Sequence, residues 1–523
     1  MRQLSSTTQN STRPPLFVGL FALLIVLAAA IRLPYLTHYP PQLHNDEAAS
    51  ATGITTLAEP NSGWALYGSG WAGHPNLNYW LSSLPTKATG ELSTWSIRFA
   101  TATEGVLSLI FFGLAVSIAY GRRASIFFLL FAVPFNLHVH YSRTGFIYNH
   151  ATLFIALVTW ALARVARTPS ARNCLLLGIL TGLSVLAYPA THVLGPAIIG
   201  AVIIQQLLTS AAPRKLIGGL LVSVGSIVAA LIGFTLAAGP QIYFWITRTY
   251  ESRAGSQLIF LPGPRKHIEY SLGGPATDWD LILFNLKHTL LFFWAGDKAA
   301  QYGFTGAPLG PIMSWVAVAG GLVLVYRAAR KHLVSTYVVL ACIATLVGSV
   351  LMVEGSFSPH LIIFALVMPL ACAIACDTAW RGIRIKQPYI VAPCMLLVGA
   401  WWAHWNYEFY EISVQRWKLY RVTYILNLPI ETRKVKTLLS LTNTPESLGE
   451  SFYVLTFPNA TRTTLQPPQD EAAVILEQGS MTGFPVLAVI ELDREGSVVE
   501  KRTAASHKPT VFRHTQATAL YLE

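Results

Sequence analysis

Residues 16–32 read LFVGLFALLIVLAAAIR, and His44-Asn45-Asp46-Glu47 follows a short aromatic and proline-rich stretch. The apolar run is long enough to cross a bilayer and closes on Arg32, an interfacial end. The acid pair therefore falls just past a first transmembrane helix. Met1 to Pro15 is polar and basic, yet no small-residue cleavage site follows Ala28-Ala29-Ala30, so the run reads as a retained helix rather than a signal peptide.

The rest of the chain repeats this pattern. Of 523 residues, 53% are hydrophobic and 12% charged, against about 25% charged in soluble proteins. Apolar runs at 15–32, 96–119, 124–140, 147–164, 172–188, 191–208, 215–238, 309–327, 333–352, 359–379 and 389–405 predict about eleven spans. The net charge of +12 sits in short loops between spans. That is the positive-inside pattern, not a nucleic-acid-binding stripe. With Arg2 and Arg13 inside, the clusters at Arg122-Arg123, Arg164 to Arg172, Arg214-Lys215, Arg327 to Lys331 and Arg381 to Lys386 all fall on the cytoplasmic side. One misplaced span would invert every later cluster.

The reading gives a cytoplasmic tail over 1–14, a membrane domain over 15–405 and an extracytoplasmic α/β domain over 406–523. Loops 33–95 and 239–308 face outward. The tail is expected to hold a helix over 420–441 and strands at 452–456, 473–476, 486–492 and 498–501. Cys174, Cys342, Cys372, Cys376 and Cys394 lie in apolar runs and read as small packing residues. No P-loop or HExxH spacing occurs.

Nearly all unusual polar residues share the outer side. Asp46 and Glu47 are candidate catalytic carboxylates. The plainer reading, that Asn45 or Asp46 caps a helix with Glu47 in its first turn, is compatible with that role. Gly73-His74-Pro75-Asn76-Leu77-Asn78-Tyr79-Trp80 is a rigid turn opening an aromatic helix, and His74, Asn78 and Tyr79 are candidate substrate contacts. Arg98 reads equally as an interfacial anchor. Arg143, an outward arginine, calls for a partner such as Asp46 or a lipid phosphate. Arg253 makes a similar case, with pairing to Glu251 as the plain alternative.

The order of these features resembles the GT-C superfamily of membrane glycosyltransferases. It is nearest the branch of protein O-mannosyltransferases and aminoarabinose-lipid A transferases. The residues that carry it are the Asp46-Glu47 pair, the His74-Pro75 turn, Ser96-Ile97-Arg98-Phe99, His140-Tyr141-Ser142-Arg143, and Gly296-Asp297 through Pro308-Leu309. The resemblance spans roughly 16–405. It implies a polyprenyl-phosphate-sugar donor, a glycan, lipid or protein hydroxyl as acceptor, inversion at the anomeric carbon, and a site outside a bacterial plasma membrane. It places Asp46 as general base or acceptor-positioning group and His74 near the lipid phosphate, although Pro-Asn follows His74 where relatives more often have Pro-Pro. The tail lacks repeated β-trefoil modules, so a protein acceptor is not indicated. A divalent cation beside the acid pair is permitted but not required. The competing reading is a transporter or flippase of lipid-linked saccharides.

Overall fold

The computed structural model describes residues 14–37, 39–40, 67–68, 74–90, 93–209, 213–247, 258–296, 308–352, 358–382, 397–408 and 410. It also describes Glu47, Ser50, Ile54 and Leu57 singly, and seven short strands between 437 and 521. The chain divides into two units. One comprises Met1–Pro34, Thr103–Ser142 and Tyr148–Ser413; the other comprises Tyr35–Ala102, Arg143–Ile147 and Val414–Glu523.

Among the described residues, eight helices are long and apolar enough to cross a membrane, and a bent pair makes up to nine. In chain order the helices are α1 Pro14–Arg32, α2 Asn76–Thr89, α3 Thr94–Tyr120, α4 Arg122–Ala132, α5 Asn136–Arg143, α6 His150–Arg167 and α7 Ala171–Val185. They continue as α8 Leu194–Thr209, α9 Pro213–Thr247, α10 Pro262–Leu272, α11 Asp278–Ala295, α12 Gly310–Ala329, α13 Leu333–Leu351 and α14 Phe364–Gly382. Each expected span has a counterpart. The run at 124–140 is the bent pair α4–α5. The run at 172–188 is α7, which at 15 residues covers only about 22 Å. The run at 389–405 is helical over 397–408, with 389–396 outside the described residues.

In the first unit, α7 packs closely along α9. Gly178 and Gly182 are four apart on one face of α7, and a Cβ on Gly178 would lie 2.0 Å from the Ala230 carbonyl oxygen. Such small-residue pairs let backbones approach where lipid offers no hydrophobic drive to associate. α9 continues to Thr247, past the expected end at 238.

The 66° bend between α4 and α5 has a chemical cause. Pro134 has no N–H, and its ring clashes with the carbonyl four residues back. The freed carbonyls would be costly in a membrane. Arg32, fully buried at the end of α1, answers them: its guanidinium donates to the Val133 oxygen at 2.9 Å and the Ala132 oxygen at 3.5 Å. It also donates to His138 Nδ1 at 2.9 Å. Ser108 Oγ donates to the Gly105 oxygen, so His138 Nε2 donates to Ser108 Oγ at 2.9 Å. His138 is thereby a neutral ring with its proton on Nε2. On the far side of the break, Asn406 Oδ1 accepts from the Asn136 N–H at 2.8 Å.

The segment expected as an outward loop at 239–308 contains two helices. A capping box between Thr277 and Asp280 starts α11. Arg265 joins α10 to it, pairing with Glu269 and Asp278 and donating to the Ala276 carbonyl. The hydrogen bond from Arg265 holds the Glu269 carboxyl below its ordinary range.

In the second unit, α2 packs on the start of α3 through a hydrogen bond from Thr86 to Ser96 at 3.1 Å. From Val414 on, the described residues are strands. β3 Glu471–Ile475, β4 Ala488–Asp493 and β5 Val498–Thr503 form an antiparallel sheet. β1 Thr437–Leu439 pairs with β2 Thr461–Thr463 in parallel, and β6 Thr510–His514 pairs with β7 Ala517–Tyr521. β1 displaces the end of the helix expected over 420–441, and the strand expected at 452–456 lies outside the described residues.

Candidate active site

Glu47, Ser50, Ile54 and Leu57 have helical backbone and are all buried. Their spacing is that of one helix face. Its buried acid has a specific partner. Arg98 Nε lies 2.9 Å from Glu47 Oε1 and its Nη2 lies 3.1 Å from Oε2, a two-point fork with both side chains fully buried. The Gly145 N–H donates to the same Oε1. Position 145 must be glycine for this approach, since a Cβ there would sit 2.3 Å from Ile97. The remaining terminal nitrogen of Arg98 donates to the carbonyls of Leu36 and Pro40, at 3.0 and 2.6 Å. One guanidinium thus ties the acid to the turn that follows α1.

Arg143 reaches that same turn. Its guanidinium donates to the Tyr39 carbonyl at 2.9 Å and lies over the Tyr39 ring. The sequence reading sought an acid or a phosphate as its partner; main-chain carbonyls of the turn fill part of that role. Glu47, Arg98, Arg143 and Gly145 therefore converge on residues 35–40. His74, Asn78 and Tyr79 are buried at and just after the start of α2. Asp46, Arg253 and Glu251 lie outside the described residues.

Two features had little signal in the sequence. Arg98 looks like any helix-end arginine until its partner is visible; its one clue is that it is a cation opposite an acid pair on the same predicted side. The second feature belongs to the first unit. Glu104 of α3 and His150 of α6 make a buried pair with Oε2 and Nδ1 2.5 Å apart. They are 46 positions apart in separate apolar runs, which hides the pairing from any local motif.

Among the described residues no group of three or more His, Cys, Asp or Glu could hold a metal ion. A cation bridging the acid pair would have to take Glu47 from its guanidinium, so Glu47 as placed is a poor ligand. The arrangement instead balances the charge of Glu47 within its own buried contacts.

Residues 73–235 match the family model described as dolichyl-phosphate-mannose-protein mannosyltransferase. No curated protein matches the chain. In structure it is similar to the oligosaccharyltransferase of Archaeoglobus fulgidus, with a TM-score of 0.50 at 14% identity, over 86% of this chain and 64% of that one. It also aligns with ArnT from Cupriavidus metallidurans bound to undecaprenyl phosphate, with a TM-score of 0.45 at 13% identity, over 85% of this chain and 75% of that one. The chain spans 64% of the length of the archaeal enzyme. Its fold is that of the GT-C superfamily of membrane glycosyltransferases, to which the matched family model and the archaeal enzyme both point.

Proposed function

We propose that this integral membrane protein moves a sugar from a polyprenyl-phosphate carrier to a hydroxyl acceptor, with Asp46 as general base. The observation that carries the reading is the Glu47–Arg98–Gly145 clamp. Asp46 is the chain neighbour of a residue held at three points. A base works only when its position is fixed relative to the proton it takes.

The chemistry runs as one displacement. The acceptor oxygen attacks the anomeric carbon from the face opposite the carrier while Asp46 takes its proton. The bond from carbon to the carrier's phosphate oxygen breaks, and the anomeric centre inverts. The leaving phosphate gathers negative charge, which Arg143, Arg253 and His74 are suited to stabilise. Asn78 and Tyr79, on α2 beside His74, orient the sugar. Glu47 is the positioning residue of the pair. The reaction is placed on the outer face of a bacterial plasma membrane, where the charge pattern puts loop 33–95.

Asp46→Asn should lower sugar transfer from a polyprenyl-phosphate-sugar by about 10²–10⁴-fold while carrier binding persists. Transfer at the wild-type rate would remove the catalytic assignment. The transporter reading draws on one observation, the buried Glu104–His150 pair within apolar helices. Carrier movement across proteoliposomes without any acceptor would favour it.

A further inference from the structure

Away from the candidate active site, the first unit gathers three arginines around one carboxylate. Asp377 of α14 is fully buried. Arg123 Nε of α4 lies 2.6 Å from its Oδ1. Arg381 Nη2 lies 2.8 Å from its Oδ2, an ion-pair distance without the alignment of a hydrogen bond. The same nitrogen of Arg381 donates to the carbonyl of Tyr120 at 3.3 Å. Arg327, in the last turn of α12, stacks over the Tyr120 ring at 5.4 Å. It feels the like charge of Arg381 and the opposite charge of Asp377. Among the described residues Arg327 has no carboxylate within ion-pair distance.

The charges therefore do not balance. Among the described residues, three half-buried or partly exposed guanidinium groups face a single acid, which is already shared by two of them. Arginine cannot shed its proton to relieve this. The local helix adds to the surplus. Arg123 stands in the first turn of α4, whose N-terminal end carries partial positive charge. The N-cap there is Gly121, which offers no side-chain acceptor to the free N–H groups. Arg123 and Arg381 keep 22% and 46% of their side-chain surface exposed, so an incoming group can reach them.

We propose that this end of the helix bundle is a binding site for the phosphate headgroup of an anionic phospholipid. Arg123, Arg327 and Arg381 are its ligands, and Asp377 is the spacer that holds two of them in place. A phosphate accepts paired N–H bonds from planar guanidinium groups and also suits an uncapped helix start. A lipid rather than a free ion is the occupant because Arg327 and Arg381 stand in the last turns of membrane-length helices and Arg123 at the start of the bent α4–α5 pair, the level at which headgroups lie. Basic pockets between transmembrane helices are the usual places for such recognition.

The test uses the full-length protein purified in neutral detergent. Its Tm is measured with added phosphatidylglycerol, with phosphatidylcholine, and with inorganic phosphate at matched ionic strength. Phosphatidylglycerol should raise Tm by a few degrees over phosphatidylcholine, as a ligand of the folded state must. Arg327→Gln and Arg381→Gln should each lose that increment, and Lys266→Gln, an exposed cation on α10, should keep it. Equal Tm in the two lipids overturns the proposal. So does an increment that survives both arginine changes, or one reproduced by inorganic phosphate alone. If neither arginine variant folds, native mass spectrometry of the wild type decides. Retention of phosphatidylglycerol over phosphatidylcholine supports the site, and equal retention overturns it.

Discussion

Arg98 joins a buried acid to the turn after α1. It neutralises a fully buried carboxylate and ties down the turn at Leu36 and Pro40. Removing one member of a buried pair costs about 3–5 kcal/mol, because the other charge stays behind in a poor solvent; replacing both by apolar groups is often neutral. Arg98→Met should therefore lower Tm substantially. The double variant Glu47→Met with Arg98→Met should recover part of the loss, but not all, since two turn carbonyls lose their donor. Thermal unfolding of the purified protein reads both. A single variant as stable as wild type would mean the fork does not form. The sequence made the acid pair visible because two adjacent carboxylates are conspicuous in a chain so poor in charge. The residues alone do not divide their roles; only the resemblance puts Asp46 as the base. That division depends on which acid meets Arg98, 51 positions on, and a distance in sequence carries no direction in space.

At the scale of elements, hydropathy located the helices but not their breaks or their closest contacts. The run at 124–140 reads as one span because its residues are apolar throughout; Pro134 splits it, and Arg32 makes the split tolerable by serving the freed carbonyls. α11 went unread for the opposite reason. Asp278, Asp280 and Lys287 lower its hydropathy, although the Thr277 capping box marks its start. The α7–α9 contact is similarly legible only in hindsight, through the spacing of Gly178 and Gly182. It makes a firm prediction. A side chain at Gly178 must push against the Ala230 backbone, which cannot swing aside as a flexible side chain would. Gly178→Val should cost about 1–3 kcal/mol or more by overpacking. Gly225→Ala is the control, because a Cβ there meets nothing within 4 Å and alanine favours helix over glycine by up to about 1 kcal/mol. Opposite shifts in Tm are the expected result; a harmless Gly178→Val would show that the two helices do not approach as described.

For the whole molecule, the strongest inference from sequence was that every basic cluster lies on one side of the membrane. Three of those clusters now meet through specific contacts. Arg123 and Arg381 share Asp377, and Arg327 and Arg381 both engage Tyr120. Helix ends that touch must lie at one level, so the starts and stops of α4, α12 and α14 alternate as the count of spans requires. An error of one span between residues 123 and 381 would have separated them. The absolute direction follows from charge alone: clusters of Lys and Arg stay on the cytoplasmic side. Reporter fusions test it at the two ends of the argument. A fusion after Arg330, in the loop between α12 and α13, should leave alkaline phosphatase inactive and a cytoplasmic fluorescent reporter bright. A fusion to the chain's C-terminus at Glu523 should give the reverse, with active phosphatase and a dark fluorophore. If both fusions report the same side, the tail does not share the compartment of loop 33–95. If both are inverted, the acid pair faces the cytoplasm, and sugar transfer at the outer face is ruled out whatever the fate of Asp46→Asn.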